Sequence, residues 1–263
     1  MPPGTSSEKE SRRDDWESFW EEKQEVAEVY SNADRVVRNL LRVTDLKGKR
    51  VLDIGAGTGR DSFPLARLGA VVYQVDYAEG SLRILKRLAA EFNLQVQIVG
   101  GDTFHLPFGD GSFDVVFHQG LLEHFRPVEA EALLRENVRV LKLGGYLLVD
   151  VPQRYHLYTV AKRILIALNK WFAGWERSFS VGELTSLVQS LGLKPVHTYG
   201  EWMYPSFVYR VIREALKRIG IKAPLSPQMF KSLGSVRAAV RSRLRETRLS
   251  LYSGISIGVI GRK

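Results

Sequence analysis

The sequence predicts an α/β fold: a doubly wound, mostly parallel sheet covered by helices on both faces, with further helical segments added at one edge. Three observations predict it. Short, nearly all-apolar runs alternate with helical patterns through the first 150 residues, and strands apolar on both sides belong to parallel sheets buried between helices. The first such run ends in glycines that lead directly into a helical pattern, Val51-Leu52-Asp53-Ile54-Gly55-Ala56-Gly57-Thr58-Gly59. Acidic residues, Asp76 and Asp102, stand at the ends of the next two runs, on the carboxyl edge where open α/β sheets bind ligands.

In chain order, residues 1–13 read as a disordered tail, and Met1–Asp15 lacks the apolar stretch of a signal peptide. Asp14 to about Leu41 is helical in pattern, with Trp16, Phe19 and Trp20 in one apolar patch. Strands follow at Arg50–Ile54, Val71–Val75, Val96–Val99, Asp114–His118 and Tyr146–Val151. Helices fall between them at Asp61–Leu68, at Gly80–Phe92 with apolar residues at 82, 85, 88 and 92, and at Val128–Leu141, which stops at the Gly144-Gly145 turn. A helix at Val181–Gly192, capped by Ser180, and strands at Pro195–Tyr199 and Ile255–Gly261 complete the alternation. Two segments stand outside it. Residues 153–175 hold an apolar, basic helical stretch around Leu157–Phe172. Residues 201–250 hold two more, one with Phe207, Val208, Val211, Ile212, Ala215, Leu216 and Ile219 at helical spacing, the other at about 231–248 with Leu233, Val236, Val240 and Leu244 in register. Both leave from carboxyl ends of strands, so with residues 14–41 they read as a helical lid over a core at 42–152.

Composition excludes some chemistry. The chain has no cysteine, so disulfides, thiolate metal sites and cysteine nucleophiles are ruled out, and a reducing cytoplasm fits. No uncharged apolar run approaches the roughly 18 residues that span a bilayer. Charge is divided unevenly. Residues 151–263 carry 19 Lys and Arg against 5 Asp and Glu, net +14, whereas residues 1–150 carry 19 against 24, net −5. Such asymmetry points either to an anionic partner or to a solvated basic face.

The glycine run is a cofactor signature. Glycines at every second place let a ligand lie against bare backbone, and the following helix start favours a negative group. A dinucleotide fingerprint needs glycine or alanine at position 60; Arg60 stands there and disfavours NAD or FAD. Asp76, 19 residues after Gly57, can accept both hydroxyls of a ribose. Asp102, in Gly101-Asp102-Thr103, can accept from an adenine amino group, and Leu106-Pro107-Phe108 leads on into Phe113-Asp114-Val115-Val116.

With these pieces in place, Val51–Pro152 resembles the S-adenosylmethionine (SAM)-binding core of class I methyltransferases. It is most similar to the methyltransferase type 11 group that includes the ubiquinone and menaquinone biosynthesis enzymes. The resemblance rests on Asp53–Gly59, Asp76, Asp102-Thr103, Phe113–Val116, Leu121–His124 and Leu143-Gly144-Gly145, about 100 of 263 residues. It implies a Rossmann-like seven-stranded sheet with the last strand antiparallel, a single methyltransferase domain over 14–263, and SAM as cofactor with S-adenosylhomocysteine as product. It further implies that Gly55, Ala56, Gly57 and Gly59 line the methionine part of SAM and that Asp53 bonds its amino group. Asp76 would hold the ribose, Tyr77 flank the adenine, Asp102 and Thr103 read the adenine edge, and Gln119 sit near the sulfonium.

Methyl transfer is an in-line displacement, so alignment of acceptor, carbon and sulfur is the protein's largest task, worth about 7–11 kcal/mol. An oxygen or nitrogen acceptor also needs a base, typically worth 10²–10⁴-fold. Glu123 and His124, just past the fourth strand, are the catalytic candidates, with turn stabilisation as their structural alternative. Some quinone O-methyltransferases of this type hold a divalent ion here, but Gly120 stands where one carboxylate would align, so no metal is expected. His118 alternates with its strand's apolar residues and reads as a core histidine. Trp20, Tyr30, Trp175 and Arg177 are candidate acceptor contacts. The lid segments abound in aromatics: Trp16, Phe19, Trp20, Tyr155, Tyr158, Trp171, Phe172, Trp202, Tyr204 and Phe207. These favour a small-molecule or lipid-like acceptor, with the basic half meeting a phosphate group or an anionic membrane surface and the protein cytoplasmic or peripheral at that surface. RNA is the second acceptor class the charge admits, without a recognised RNA-binding module or an Asn-Pro-Pro-Tyr-like motif; a non-catalytic SAM-binding protein is the third alternative.

Overall fold

The structure is a computed structural model that describes residues 9–11, 13–22, 34–171, 173–202, 206–224, 234–245 and 247–263. Seven strands form one sheet: β1 (Arg50–Ile54), β2 (Val71–Asp76), β3 (Gln97–Gly100), β4 (Phe113–Gln119), β5 (Leu141–Pro152), β6 (Lys194–Glu201) and β7 (Ser256–Arg262). Their order is β3-β2-β1-β4-β5-β7-β6. β3 through β5 run parallel, and β7 is antiparallel to both of its neighbours. The doubly wound, seven-stranded arrangement with an antiparallel last strand is therefore present.

The all-apolar strands are explained by cover on both faces. Leu52, Ile54, Val116, Leu147 and Val149 pack toward helices α5 (Pro127–Val140) and α7 (Val181–Ser190). Val51, Val72, Val115, Phe117 and Leu148 pack toward α2 (Arg35–Leu40) and α3 (Ser62–Arg67). Helix α4 (Glu79–Glu91) buries Ile84, Leu85 and Leu88 against Phe63. Ser180 caps α7 as its position suggested: its Oγ accepts from Glu183 N, and the Glu183 carboxylate accepts from Ser180 N.

Most strand ends fall within two residues of expectation, but the start of β5 differs more. The helix expected to run to Leu141 ends at Val140, and β5 begins at Leu141 rather than Tyr146. The pairing of β4 with β5 shifts register between Phe113 and Val115, which makes room for Gly144 at φ +76°. At Gly145 a Cβ would stand 2.9 Å from the Asp114 carbonyl oxygen. The glycines thus sit inside the strand at an irregularity instead of before it.

The added helices are α1 (Arg13–Glu22), α6 (Leu157–Ala167), α8 (Phe207–Arg218), α9 (Gly234–Arg245) and the short α10 (Leu249–Ser253). Because β6 and β5 are both antiparallel to β7, the segments that follow β5 and β6 leave from the same carboxyl edge. The stretch expected to continue to Phe172 ends near Ala167, where Asn169 turns the chain at φ +53°. Residues 1–8 of the expected tail, together with Tyr30, Phe172, Tyr204 and Leu233, lie outside the described residues. Lys9 is held, its carbonyl accepting from Trp175 N at 2.7 Å. No helix among the described residues is long and apolar enough to cross a membrane.

Candidate active site

The turn from β1 into α3 is built by backbone. Gly55, Gly57 and Gly59 adopt φ of +66°, +55° and +65°, a region costly for any side chain but glycine. Gly55 N and Ala56 N donate to the Val75 carbonyl at 2.9 and 3.1 Å, tying the loop to β2. Gly59 is also needed for packing: a Cβ there would lie 2.5 Å from Gln74 Nε2 and 2.6 Å from Phe63 Cε2. The buried Asp76 carboxylate at the end of β2 accepts from Gly57 N at 2.9 Å and Ala78 N at 3.0 Å, so it joins the loop to the head of α4. Asp53 lies buried below the loop, and burial pushes its carboxyl up to about 8.

Helix α1 lies directly over this loop. A Cβ on Gly57 would stand 2.8 Å from Cζ2 of Trp20, and one on Gly80 would stand 2.9 Å from Trp20 Cβ. The Glu17 carboxylate accepts from Glu79 N at 3.0 Å. Trp20 is thus at the glycine loop, away from the end of β4. Tyr77 is half-buried beside Asp76. Asp102, exposed past β3, accepts from Phe104 N at 2.9 Å, and Thr103 is buried beside it.

At the end of β4, Gln119 enters a buried charge network. With its amide oriented to suit its neighbours, it donates to Asp61 at 2.7 Å and accepts from Arg60 at 2.5 Å and Arg35 at 2.6 Å. Arg35 also pairs with Asp150 of β5 at 2.9 Å, and Tyr199 donates to the other Asp150 oxygen at 2.7 Å. The mutual attraction of Arg35 and Asp150 offsets part of the cost of burying both, although burial still raises the Asp150 carboxyl.

Beyond Gln119 the chain makes a 3-10 turn, Leu122–His124. The Glu123 carboxyl is buried and pushed up to about 8 by that burial and by nearby Glu176, with Oε2 unpartnered. His124 is pushed down to about 4, again by burial, and its Nδ1 lies 3.9 Å from Glu176. Trp16 of α1 meets the His124 ring edge-on at 4.8 Å. Glu176 is bonded by Lys162 of α6 and by Trp171 Nε1, and Lys162 is 2% exposed. Arg177 N donates to the Glu123 carbonyl at 2.8 Å, while its guanidinium covers Phe179. The Arg126 guanidinium lies over Trp175, 3.9 Å from the ring centroid. The structure therefore brings Glu123, His124, Arg177 and Trp16 together, with Trp175 alongside. His118 is fully buried with neither ring nitrogen bonded, and burial drops it to about 3, so its imidazole is neutral.

Sequence reasoning missed Lys162, Glu176, Arg35, Asp61, Asp150 and Tyr199. Two carried a signal: Asp150 interrupts an apolar strand, and Lys162 falls within an apolar helical stretch. The partners of each lie far away in sequence.

A family model described as "Methyltransferase domain" matches residues 52–149. A ubiquinone biosynthesis O-methyltransferase of Dinoroseobacter shibae is 32% identical over 168 residues, which is 62% of this chain and 67% of that one. A demethylmenaquinone methyltransferase of Clavibacter sepedonicus is 40% identical over 107 residues, and the match spans 41% of this chain but only 42% of that relative. Among solved structures, a SAM-dependent methyltransferase of Thermotoga maritima, titled a possible histamine N-methyltransferase, shares the fold at TM-score 0.61 and 20% identity, covering 94% of this chain and 98% of that one.

Proposed function

The chain belongs to the class I SAM-dependent methyltransferases, and from that premise we propose that its acceptor is a small, apolar, lipid-like molecule of the quinone-precursor kind. The observation that carries this reading is the wall around the end of β4. Helix α1, the segment after α6 and the 173–180 loop bring Trp16, Trp171 and Trp175 around the Glu123–His124 turn. Such a wall excludes water and suits an aromatic acceptor. The ubiquinone and menaquinone activities named for the two relatives agree with that chemistry.

On this reading Gly55–Gly59 would hold the methionine part of SAM against bare backbone, and Asp53, buried below the loop, would pair with its ammonium. Asp76 exchanges its bonds to Gly57 N and Ala78 N for ribose hydroxyls. Tyr77 covers the adenine, Asp102 and Thr103 read its edge, and Gln119 faces the sulfonium, fixed by Arg35, Arg60 and Asp61. Helix α1 is the lid and lifts to admit the cofactor, because Trp20 occupies the face of the glycine loop.

SAM would supply a methyl group activated on sulfur, which an acceptor oxygen would take by in-line displacement. At neutral pH Glu123 holds its proton, so it can orient but not deprotonate. His124 is uncharged, with Nδ1 unbonded, and can take the acceptor's proton. Glu176 then provides a counter-charge 3.9 Å away. The test is methyl transfer from SAM to a panel of catechol-type and naphthoquinol-type acceptors. His124→Ala is expected to lower kcat by about 10²–10⁴-fold with SAM affinity retained. A normal kcat in His124→Ala removes the imidazole's role; turnover on polar amines alone overturns the acceptor class.

The lid also offers a surface for such an acceptor's membrane. Leu157, Ile164 and Leu168 of the α6 region and Val208, Val211 and Ile212 of α8 are exposed. Arg210, Arg213, Lys217 and Arg218 are interleaved with the α8 residues. A basic helix with an exposed apolar face lies readily at an anionic bilayer. Sedimentation with anionic but not neutral vesicles is expected, and equal recovery with both would contradict it.

A further inference from the structure

Helix α6 presents a lysine to the interior. Its buried residues are Thr159, Lys162 and Ile166, while Leu157, Val160, Ile164 and Leu165 are exposed. Lysine is rarely buried unless paired, and the Lys162 ammonium bonds the buried Glu176 carboxylate. The methyl-transfer reading gives this cation no part.

The helix has other anchors. Thr159 Oγ1 donates to the Gln153 carbonyl at 2.6 Å, and His156 Nδ1 accepts from Tyr158 N at 3.1 Å at the helix start. A buried ion pair adds little stability over two apolar side chains of similar volume. What sets this pair apart is its neighbour. Glu176 Oε1 lies 3.9 Å from His124 Nδ1, and Trp16 meets the same imidazole edge-on at 4.8 Å. Trp171 Nε1 donates to Glu176 Oε1, so both carboxylate oxygens are fixed.

Two acids share this space. Glu123 is buried in the same turn as His124, where Glu176 raises it and Lys162 lowers it. Two neighbouring carboxylates do not both ionise readily. Lys162 bonds Glu176, so the negative charge is placed there, and Glu123 keeps its proton at neutral pH. Of the other titratable groups nearby, Asp150 acts on Glu123, and the Tyr158 ring lies 5.9 Å from Lys162 Nζ.

We propose that Lys162 is a positioning residue for methyl transfer: by bonding Glu176 it holds a negative charge beside His124, which lets the buried imidazole take the acceptor's proton. This rests on the role read for His124 in methyl transfer. His124 Nδ1 gains the hydroxyl proton as the oxygen–methyl bond forms and the methyl–sulfur bond breaks. The positive charge that leaves sulfur is then carried by the imidazolium, next to Glu176.

The test uses the full chain with SAM and two acceptors. A catechol must lose a proton during transfer; a nitrocatechol is already largely ionised near neutral pH and needs no base. K162M/E176L replaces the ion pair by apolar side chains. It is expected to melt near the wild type and to bind SAM equally, yet to lose kcat about tenfold or more on the catechol and less than about twofold on the nitrocatechol. Glu176→Gln keeps the shape without the charge and should show the same contrast; it carries the comparison if the double variant melts early. Equal losses on both acceptors mean misalignment and overturn the proposal, as does an unchanged kcat on the catechol. His124→Ala is run alongside. A loss there without one in K162M/E176L removes only the role of Lys162, whereas no wild-type turnover of either acceptor removes the acceptor class and this role together.

Discussion

On the β1 side of the sheet edge, the loop from Gly55 to Gly59 is shaped by main-chain bonds to Val75 and Asp76 and by three glycines at positive φ. Past the end of β4, the Glu123–His124 turn is shaped mostly by distant residues: Lys162 from α6, Trp16 from α1, and Glu176 and the Arg177 backbone from the 173–180 loop. The first region is local in sequence and uses backbone that any such loop must use. The second draws on segments far apart and buries charges that are stable only in pairs. On the proposed placement, cofactor binding depends on conformation, whereas the acceptor side depends on a network that can change without altering the fold.

The largest expected effect tests the network. Lys162→Ala leaves Glu176 buried without its cation, which costs about 3–5 kcal/mol. The melting temperature should fall by roughly 2–4 °C for each kcal/mol, and K162M/E176L should recover much of the loss. A small change on Lys162→Ala would mean that α6 is not held by this pair.

Next comes the backbone side. Gly59→Ala places a methyl 2.5 Å from Gln74 and 2.6 Å from Phe63, an overpacking that costs about 1–3 kcal/mol beyond its φ strain. Unlike Lys162→Ala, it should weaken SAM as well as lower the melting temperature, as calorimetry would show.

A smaller effect distinguishes the buried carboxyls of both regions from the buried histidine by pH. Glu123 has a folded value near 8 against an ordinary 4.5. Its contribution to stability is complete below pH 4.5 and is lost as pH rises through 8. Asp53 behaves alike. Glu123→Gln should retain part of the stability that the wild type loses between pH 5 and 8, on the order of 1 kcal/mol, in melts at a series of pH values. His124 has the opposite sign, its contribution being lost as pH falls from 6.5 through about 4. The smallest change is expected for Val211→Asp with Ile212→Asp: stability within about 0.5 kcal/mol, with vesicle binding abolished.

Much of this contrast was legible in the sequence. Short apolar runs placed all seven strands, most plainly where burial on both faces leaves no other residue choice, as in β1 and β4. The glycines announced the tight turn after β1, because its three positive-φ positions restrict residue identity. The start of β5 was misplaced because an irregularity inside a strand looks like a turn before one. The pairs Lys162–Glu176 and Arg35–Asp150 were not visible, since pairing across 14 and 115 residues requires the fold itself. Asp150 alone, an acid within an apolar strand, was a sign left unread.

The most direct measurement is titration of the purified chain with S-adenosylhomocysteine, comparing wild type, Asp76→Asn and Asp76→Ala. Two charge-assisted bonds to a ribose, each worth about 1.5–3 kcal/mol, predict at least a hundredfold loss in Asp76→Ala and a smaller one in Asp76→Asn. Equal affinity in all three, with the fold intact by thermal unfolding, would contradict the placement of the cofactor along this edge.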